Sequence, residues 1–292
     1  MHYGKCFVVV PKGHAFGSIG SAWYQRVFTG DDPLFIKVVT PQSESVFLSD
    51  IKRSIAGSGA KTLLLYIHGF RVSFQEAAIR AAQISVDLNI DGVTAFYSWP
   101  SKGSLKGYGD DVASVEGAEE MLVNFLVLVA KNSDAKQVHV IAHSMGNLGL
   151  IRALNGATSQ AALQGVKFGQ IFLAAPDVDA DLFKRLARVY PKISERTTLY
   201  VSAKDIALEA SYWLRDFQRA GYTPPVTAID GIDTVEVKNI DLSVLGHGYY
   251  AEAADVLHDM HDLMLHNDPP GLRSRLDRST TEEGKPYWTF KK

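Results

Sequence analysis

One serine in this chain occupies a position where a nucleophile would be expected. The residues Ala142-His143-Ser144-Met145-Gly146 follow a short apolar run, and a helical pattern begins directly after them. This pattern predicts a strand, a sharp turn and a helix, with Ser144 at the tip of the turn. Small residues two positions before and after the serine let the strand and helix backbones approach closely. Alanine at position 142 replaces the commoner glycine, and its methyl group is small enough for the same turn.

A serine hydroxyl becomes a good nucleophile only when a base removes its proton and a carboxylate supports that base. After a turn of this kind, the acid and then the histidine follow along the chain. His247 lies in a glycine-flanked loop directly after a predicted strand, where catalytic groups of parallel sheets gather. The other histidines beyond Ser144 lie in a helical pattern (His258, His261 and His266). We therefore predict His247 as the base.

Two aspartates could support this histidine, and both come just after predicted strands. Asp205 follows the penultimate predicted strand, which is the commoner place for such an acid, and we favour it. Asp177 is the alternative acid. Asp179 is better explained as the N-cap of the helix that it opens.

Two backbone N–H groups are expected to bind the oxyanion that forms when the serine attacks a carbonyl. One belongs to Met145, the residue after the serine, and the other to Phe70, in the loop after an earlier strand. Gly69 lets this loop come close to the serine. We interpret His68 as a strand-end histidine that hydrogen-bonds the neighbouring loop. Around Phe70 and Met145, the predicted substrate-binding side chains are Arg71, Trp99, Tyr108 and Tyr249.

A second group of polar residues lies in the last predicted helix. His258 and His261, beside Asp259 and Asp262, could form part of a metal site. No further set of ligands accompanies them, so we interpret them as a solvated helix face. The sequence predicts neither a metal nor an organic cofactor.

The elements that position these residues alternate between strand and helix from residue 61 onward, with short connections. This order predicts an α/β fold with a mostly parallel sheet and helices on both faces. We expect one domain over residues 1–268 and a polar tail over 269–292. No long insertion follows the strand that begins at Gln170, so no large cap domain is expected.

Several individual elements can also be placed from the sequence. Strands are predicted over Lys5–Pro11 and near Leu34–Val39, with a possible strand near Ser45–Leu48. A single long helix is predicted from about Asp110 to Ala130, and the last strand over Thr234–Ile240.

Composition excludes several classes of function. The 292 residues include 30 Lys and Arg against 32 Asp and Glu, and this net charge of −2 gives no electrostatic reason to expect nucleic acid as a partner. The single cysteine, Cys6, cannot form an internal disulfide. The longest apolar run, near Met121–Ala130, is far short of a membrane span. Because no signal-type segment is recognised, we expect a cytoplasmic protein; the sequence does not indicate an oligomeric state.

Five blocks of this sequence, in this order, resemble a bacterial branch of the α/β-hydrolases, a domain family of unknown function with presumed serine esterase activity. The blocks are Ile67-His68-Gly69-Phe70, Tyr97-Ser98-Trp99-Pro100-Ser101, Ala142-His143-Ser144-Met145-Gly146-Asn147, Ala174-Ala175-Pro176-Asp177-Val178-Asp179 and Tyr200-Val201-Ser202-Ala203-Lys204-Asp205. The likeness extends from about residue 4 to residue 265. It implies the α/β-hydrolase fold and the triad Ser144, Asp205 and His247. Arg71 stands where this branch often has Asn, and Gly248 where it often has Ser.

Together these features predict a serine hydrolase that cleaves small carboxylic esters, esterase- or lipase-like, through an acyl-enzyme. A thioesterase or an amidase would use the same triad. A protein of a different class, an inactive hydrolase fold that serves as a binding module, is disfavoured by the retained Ser144, Asp205 and His247.

Overall fold

An eight-stranded sheet forms the centre of the molecule. The computed structural model describes residues 1–20, 32–156, 159–202, 217–237 and 250–291. Two strands at the start of the chain, β1 (Tyr3–Val9) and β2 (Phe35–Gln42), pair antiparallel in a sheet of their own. The strands of the main sheet are β3 (Thr62–Ile67), β4 (Gly92–Tyr97), β5 (Gln137–His143), β6 (Phe168–Ala174), β7 (Ser194–Ser202), β8 (Asp233–Val237), β9 (Leu276–Thr280) and β10 (Pro286–Phe290). They lie in the order β4-β3-β5-β6-β7-β8-β10-β9, and every neighbouring pair is parallel except β10 and β9.

Helices connect these strands. They are α1 (Glu44–Ala56), α2 (Phe74–Asp87), α3 (Tyr108–Gly117), α4 (Glu119–Asn132), α5 (Gly146–Asn155), α6 (Ser159–Ala162), α7 (Ala180–Leu186), α8 (Tyr190–Ile193) and α9 (Tyr250–His266). Short 3₁₀ turns occur at Leu105–Gly107, Ala187–Val189 and Pro270–Leu272. In the described ranges, none of these helices combines the length and the apolar character that crossing a membrane requires.

Strand β3 shows why the sheet needs helices on both faces. Leu63 and Leu65 point to one side, where they join a buried cluster that includes Leu126 of α4. Leu64 points to the other side, where the buried cluster includes Ile84 of α2. A strand whose successive side chains are all apolar can be stable only when both faces are covered. The predicted α/β fold with a mostly parallel sheet is confirmed, and no large cap is evident in the part of the chain that the structure describes.

The strand order reverses direction at β3. After β3 the chain adds β4 on one side, then crosses to add β5 on the other. Parallel α/β sheets bind their ligands in the crevice beyond the carboxyl ends of the strands at such a reversal. In this chain the crevice lies between the residues that follow β3, beginning at His68, and those that follow β5, beginning at Ser144.

The prediction of a strand near Ser45–Leu48 is wrong, because these residues belong to helix α1. The side chain of Ser43 accepts a hydrogen bond from the N–H of Val46 and so caps the helix. Ile51 and Ile55, one turn apart, are the buried residues of α1. This helical spacing lies beyond the short window that suggested a strand.

The predicted single helix over Asp110–Ala130 is in fact two helices. Ala118 ends α3 and begins α4, and its N–H reaches back to the carbonyl of Ser114. Arg152 of α5 forms ion pairs with Glu116 at the end of α3 and with Glu119 at the start of α4. Both halves of the broken helix are therefore tied to the helix that follows the serine.

The polar tail adds to the main sheet. Strand β10 pairs parallel with β8, and β9 forms the outer edge, so Thr234–Ile240 does not contain the last strand. Between α9 and β9, the Arg273 guanidinium binds the Asp259 carboxylate, with Nε 2.9 Å from Oδ1. The hydroxyl of Tyr200 in β7 also donates to this carboxylate, at 2.7 Å.

The prediction of a solvated face on α9 is right in part. His258 and Asp262 are exposed, and the ring of His258 stacks on Phe16 with their centroids 5.0 Å apart. The prediction is wrong for Asp259, which is buried among α9, Arg273 and Tyr200. In the described segments no group of three or more His, Cys, Asp and Glu residues could hold a metal ion.

His139 is a buried residue of strand β5. Its Nδ1 accepts the N–H of Gln170 at 2.8 Å, and its ring fills the space above Gly169, where a Cβ would come within 2.7 Å of Cε1. Burial lowers the pKa of His139 to about 4. The imidazole is therefore neutral in the folded protein at physiological pH.

The buried pair of Arg273 and Asp259 should contribute strongly to stability. In Arg273→Met the Asp259 carboxylate stays buried without its cation, and we expect a loss of about 3–5 kcal/mol in the free energy of unfolding by urea. Arg275→Met is the matched control, because Arg275 pairs with Asp255 at the surface, where such pairs contribute about 0–1 kcal/mol. Equal losses in the two variants would contradict this expectation.

The buried His139 should make stability depend on pH. The unfolded imidazole binds a proton below about pH 6.5, whereas the folded one does so only near pH 4, so stability falls as pH falls between these values. We expect His139 to account for a loss of about 2 kcal/mol between pH 7 and pH 5. Urea unfolding of His139→Gln should lack this part of the loss, and His266→Gln, which changes an exposed histidine, should retain it.

Candidate active site

Ser144 lies in the turn between β5 and α5. Its φ of +50° is in the left-handed region that residues other than glycine rarely adopt. The turn is held by its backbone, because the N–H of Ser144 donates to the carbonyl of Ala174 at 2.9 Å. Ser144 is only 4% exposed, so its neighbours almost enclose it. The predicted strand, turn and helix are thus confirmed, with Ala142 in the last part of β5.

The side chain of Asn147 ties the strained turn together. Its Nδ2 lies 3.0 Å from the carbonyl oxygen of Ala142, 3.1 Å from that of Ser144 and 3.2 Å from that of Ala174. These contacts join β5, the turn and the end of β6 through one amide. Strain of about 1–3 kcal/mol at such a residue persists only when the surrounding structure holds it in place.

Two glycines let the backbone reach the serine. A Cβ at Gly146 would lie 2.5 Å from the carbonyl oxygen of His68 and 2.9 Å from that of Ile67. A Cβ at Gly69 would lie 2.8 Å from the Cβ of Ser144. The loop after β3 and the turn after β5 are therefore in direct contact, as the prediction for Gly69 required.

Asp177, the alternative acid, lies beside the serine and is buried. Its N–H donates to the carbonyl of Ser144 at 3.2 Å. Its carboxylate accepts the hydroxyl of Tyr108 at 2.9 Å and lies 3.3 Å from Nε of Arg219. The ion pair between Asp177 and Arg219 is almost fully buried.

Phe70 and Tyr108 form one wall beside the serine. The ring of Phe70 meets the ring of Tyr108 edge to face, with their centroids 5.1 Å apart. Through its hydroxyl Tyr108 continues to Asp177, and Asp177 continues to the backbone of Ser144. These contacts link the loop after Gly69 to Ser144 through Phe70, Tyr108 and Asp177.

His68 and Trp99 form a buried layer behind these residues. Nδ1 of His68 is 2.9 Å from the carbonyl of Gly69, and burial lowers the pKa of the imidazole. This bond to the loop agrees with the structural role that we assigned to His68. Trp99 stacks on His68, donates its indole N–H to the His68 carbonyl and is only 2% exposed. Trp99 consequently offers almost no surface to a substrate.

The exposed Arg71 follows Phe70 and also has a left-handed backbone, with φ of +58°. Its N–H donates to the carboxylate of Asp111 at 3.3 Å. Three of the predicted site residues, Asp205, His247 and Tyr249, lie outside the described residues.

Sequence reasoning missed two residues that support the site, Asn147 and Asp111. For Asp111 a signal exists, because it falls one turn before Val115, on the apolar stripe of its helix. A charged residue on a buried stripe requires an explanation, since carboxylates are almost never fully buried without partners. Asn147 ends one of the blocks that resemble the hydrolase branch, but its role in the turn has no such signal, because its three acceptors are carbonyls that only the folded turn brings together.

The contact at Gly146 should make this position intolerant of a side chain. Because the nearest atoms are backbone carbonyls, Gly146→Ala should lower the free energy of unfolding by about 1–3 kcal/mol or more. Gly117→Ala is the control, because a Cβ there meets nothing within 4 Å and alanine is favoured in helices by up to about 1 kcal/mol. Urea unfolding of both variants measures the difference, and a Gly146→Ala protein as stable as the wild type would refute it.

Comparison with solved structures gives distant neighbours. An uncharacterised protein from Bacillus cereus ATCC 10987 has 13% identity and a TM-score of 0.44, over 72% of this chain and 61% of the other, so the chain spans less than two thirds of that protein. A predicted CIB-like hydrolase from Thermoplasma acidophilum has 16% identity and a TM-score of 0.40, over 70% of this chain and 85% of the other. An esterase from Rhizomucor miehei has 9% identity and a TM-score of 0.40, over 91% of this chain and 82% of the other.

Sequence comparison is more informative. A search among curated proteins finds no significant match. The model of one protein family, described as alpha/beta hydrolase of unknown function (DUF900), matches residues 43–265. This match includes β3 to β8, the serine turn and helix α9 up to Leu265, which is most of the chain. The protein therefore belongs to this family of alpha/beta hydrolases.

Proposed function

We propose that this protein is a serine hydrolase that cleaves carboxylic esters through an acyl-enzyme, with Ser144, His247 and Asp205 as its triad. The observation that carries the proposal is the strained turn at Ser144, against which the glycine of the neighbouring loop packs. A buried serine with a left-handed backbone, held by Asn147 and by β6, costs free energy that an ordinary strand-to-helix connection would avoid. A role of Ser144 as a nucleophile would account for this cost.

In the proposed reaction Ser144 Oγ attacks the ester carbonyl while His247 takes its proton. His247 then returns the proton to the departing alcohol, and the acyl group stays on Ser144. Water attacks the acyl-enzyme by the same route, with His247 as base, and releases the acid. Asp205 orients His247 and stabilises its positive charge. No metal or organic cofactor takes part in these steps.

The proposed oxyanion donors are the N–H groups of Met145 and Phe70. In the described part of the chain, neither N–H donates to another backbone group. Met145 precedes the first turn of α5, so its N–H shares the positive end of the helix dipole. Phe70 follows Gly69, whose backbone packs against Ser144. Both donors are thus available near the atom on which negative charge would develop.

Two aspartates compete for the role of acid, and the contacts of Asp177 favour Asp205. The carboxylate of Asp177 already accepts the hydroxyl of Tyr108 and pairs with Arg219. Oδ2 takes the hydroxyl and Oδ1 faces the guanidinium, so both oxygens take part in contacts that support the segment beside the serine. We therefore assign Asp177 to the support of the turn and Asp205 to the triad.

Arg71, Tyr108 and Tyr249 are the proposed substrate-contacting side chains. Arg71 is exposed next to the oxyanion loop, and Tyr108 is half-buried in the wall beside Phe70. Trp99 is better assigned to the layer behind the site because of its burial. A thioesterase or amidase would use the same groups, so a panel of esters, thioesters and amides of graded acyl length is needed to identify the preferred substrate.

A fluorophosphonate probe tests the proposal directly, because it reacts with activated serines. We expect the wild-type protein to be labelled, Ser144→Ala to lose the label, and Ser45→Ala, which changes an exposed serine of α1, to keep it. Turnover of short nitrophenyl esters should follow the labelling. A folded wild-type protein that stays unlabelled would instead support the inactive binding module.

The two aspartates can be separated by parallel variants. Asp205→Asn should lower kcat by about 10⁴-fold without unfolding the protein, as loss of a triad acid does. Asp177→Asn should mainly lower stability, by about 3–5 kcal/mol, because Arg219 would stay buried without its anion. Thermal unfolding and ester hydrolysis, measured on both variants, distinguish the roles. A stable but inactive Asp177→Asn beside an active Asp205→Asn would reverse the assignment.

A further inference from the structure

We propose that Asp111 is a positioning residue that holds the loop carrying the proposed oxyanion donor Phe70 in its catalytic conformation. This inference rests on the proposed function, since it assigns a task in the same site. Asp111 lies in the first turn of α3 and is 0% exposed.

The carboxylate of Asp111 collects donors from two loops. Oδ2 accepts the hydroxyl of Ser101 at 2.6 Å and the N–H of Arg71 at 3.3 Å. Oδ1 accepts the N–H of Lys102 at 2.6 Å. Two of these donors come from the loop after β4, and the third comes from the loop after β3. Asp111 is therefore the junction through which α3 fixes both loops.

Burying the Asp111 carboxylate costs hydration free energy, which argues that its hydrogen bonds have a specific role. A carboxylate removed from water loses its hydration, and it stays charged only when donors or cations replace the lost water. Within the described ranges Asp111 forms no ion pair, so neutral donors carry the compensation. An apolar residue would complete the stripe before Val115 at lower cost, and yet a carboxylate occupies this place.

The part of the loop that Asp111 holds is strained. Arg71 has φ of +58°, and its N–H is the group that Asp111 binds. The peptide that contains this N–H also contains the carbonyl of Phe70, so fixing it limits rotation of the Phe70 backbone. On the other side, Gly69 is fixed by its contact with Ser144. The N–H of Phe70 lies between these two fixed points.

Helix α3 contacts the loop a second time, through the ring of Tyr108 against the ring of Phe70. The first contact fixes the backbone of the loop, and the second fixes its side chain. With both in place, the Phe70 donor needs no rearrangement when negative charge develops on the substrate oxygen. Preorganised donors of this kind stabilise the transition state more than the bound substrate, so their loss lowers kcat more than it raises KM.

The experiment replaces Asp111 by Asn, which exchanges one carboxylate oxygen for a donor that faces other donors. Hydrogen exchange, followed by mass spectrometry over a peptide containing residues 69–73, reports the order of the loop without reference to activity. Hydrolysis of a nitrophenyl ester reports kcat and KM. We expect faster exchange in this peptide, a kcat lower by on the order of 10- to 100-fold, and a KM within about twofold of wild type.

Two further variants complete the design. Asp111→Ser removes the buried charge and is too short to reach Arg71, so it should show the same loop exchange and loss of kcat if Asp111→Asn fails to fold. Asp87→Asn is the matched control, because Asp87 is also a buried carboxylate that accepts a loop N–H, that of Gly17 at 2.7 Å. It should lose stability while keeping the wild-type kcat and the wild-type exchange over residues 69–73.

Each outcome bears on one claim. Unchanged exchange over residues 69–73 in a folded Asp111 variant would overturn the assignment of Asp111, and so would faster exchange with an unchanged kcat. A wild-type protein that a fluorophosphonate does not label would overturn the proposed function instead. In that case the exchange data would still decide whether Asp111 holds the loop, so the two failures are distinguishable.

Discussion

The close contact between the turn after β5 and the loop after β3 is the constraint on which the site depends. Gly69 and Gly146 occupy the two positions where a Cβ would meet Ser144 or the carbonyl of His68. Because β3 and β5 are neighbours in the sheet, their carboxyl ends must meet at this point. Only residues without side chains let them meet closely enough to bring backbone N–H groups and a serine hydroxyl together.

Buried polar side chains hold this contact in place. Asn147 binds the carbonyls of the turn, Asp177 binds its backbone and Tyr108, and Asp111 binds the opposing loop. Each of these groups loses hydration on folding, and each recovers hydrogen bonds that exist only in the folded arrangement. Polar groups with this requirement favour one arrangement of the loops over others, whereas apolar side chains would pack in several.

The sequence predicts the parts of this structure that depend on local patterns. The apolar run before Ser144 and the small residues around it predict the turn, and Ser73 with Glu76 forms the capping box expected at the start of α2. Strand β9 of the tail could not be predicted, because it is a mostly exposed edge strand without apolar alternation. The burial of Asp259 could not be predicted either, since its partners Arg273 and Tyr200 are distant in sequence.

The first turn of α3 shows why the fold and the site are not independent. Its residues reach the loop after β3 through Phe70 and Arg71, and the segment after β6 through Asp177. Both segments contact Ser144, so a shift of this turn would affect both at once. The break at Ala118 separates α3, whose Tyr108 and Asp111 contact the site, from α4, whose Leu122 and Leu126 pack in the core.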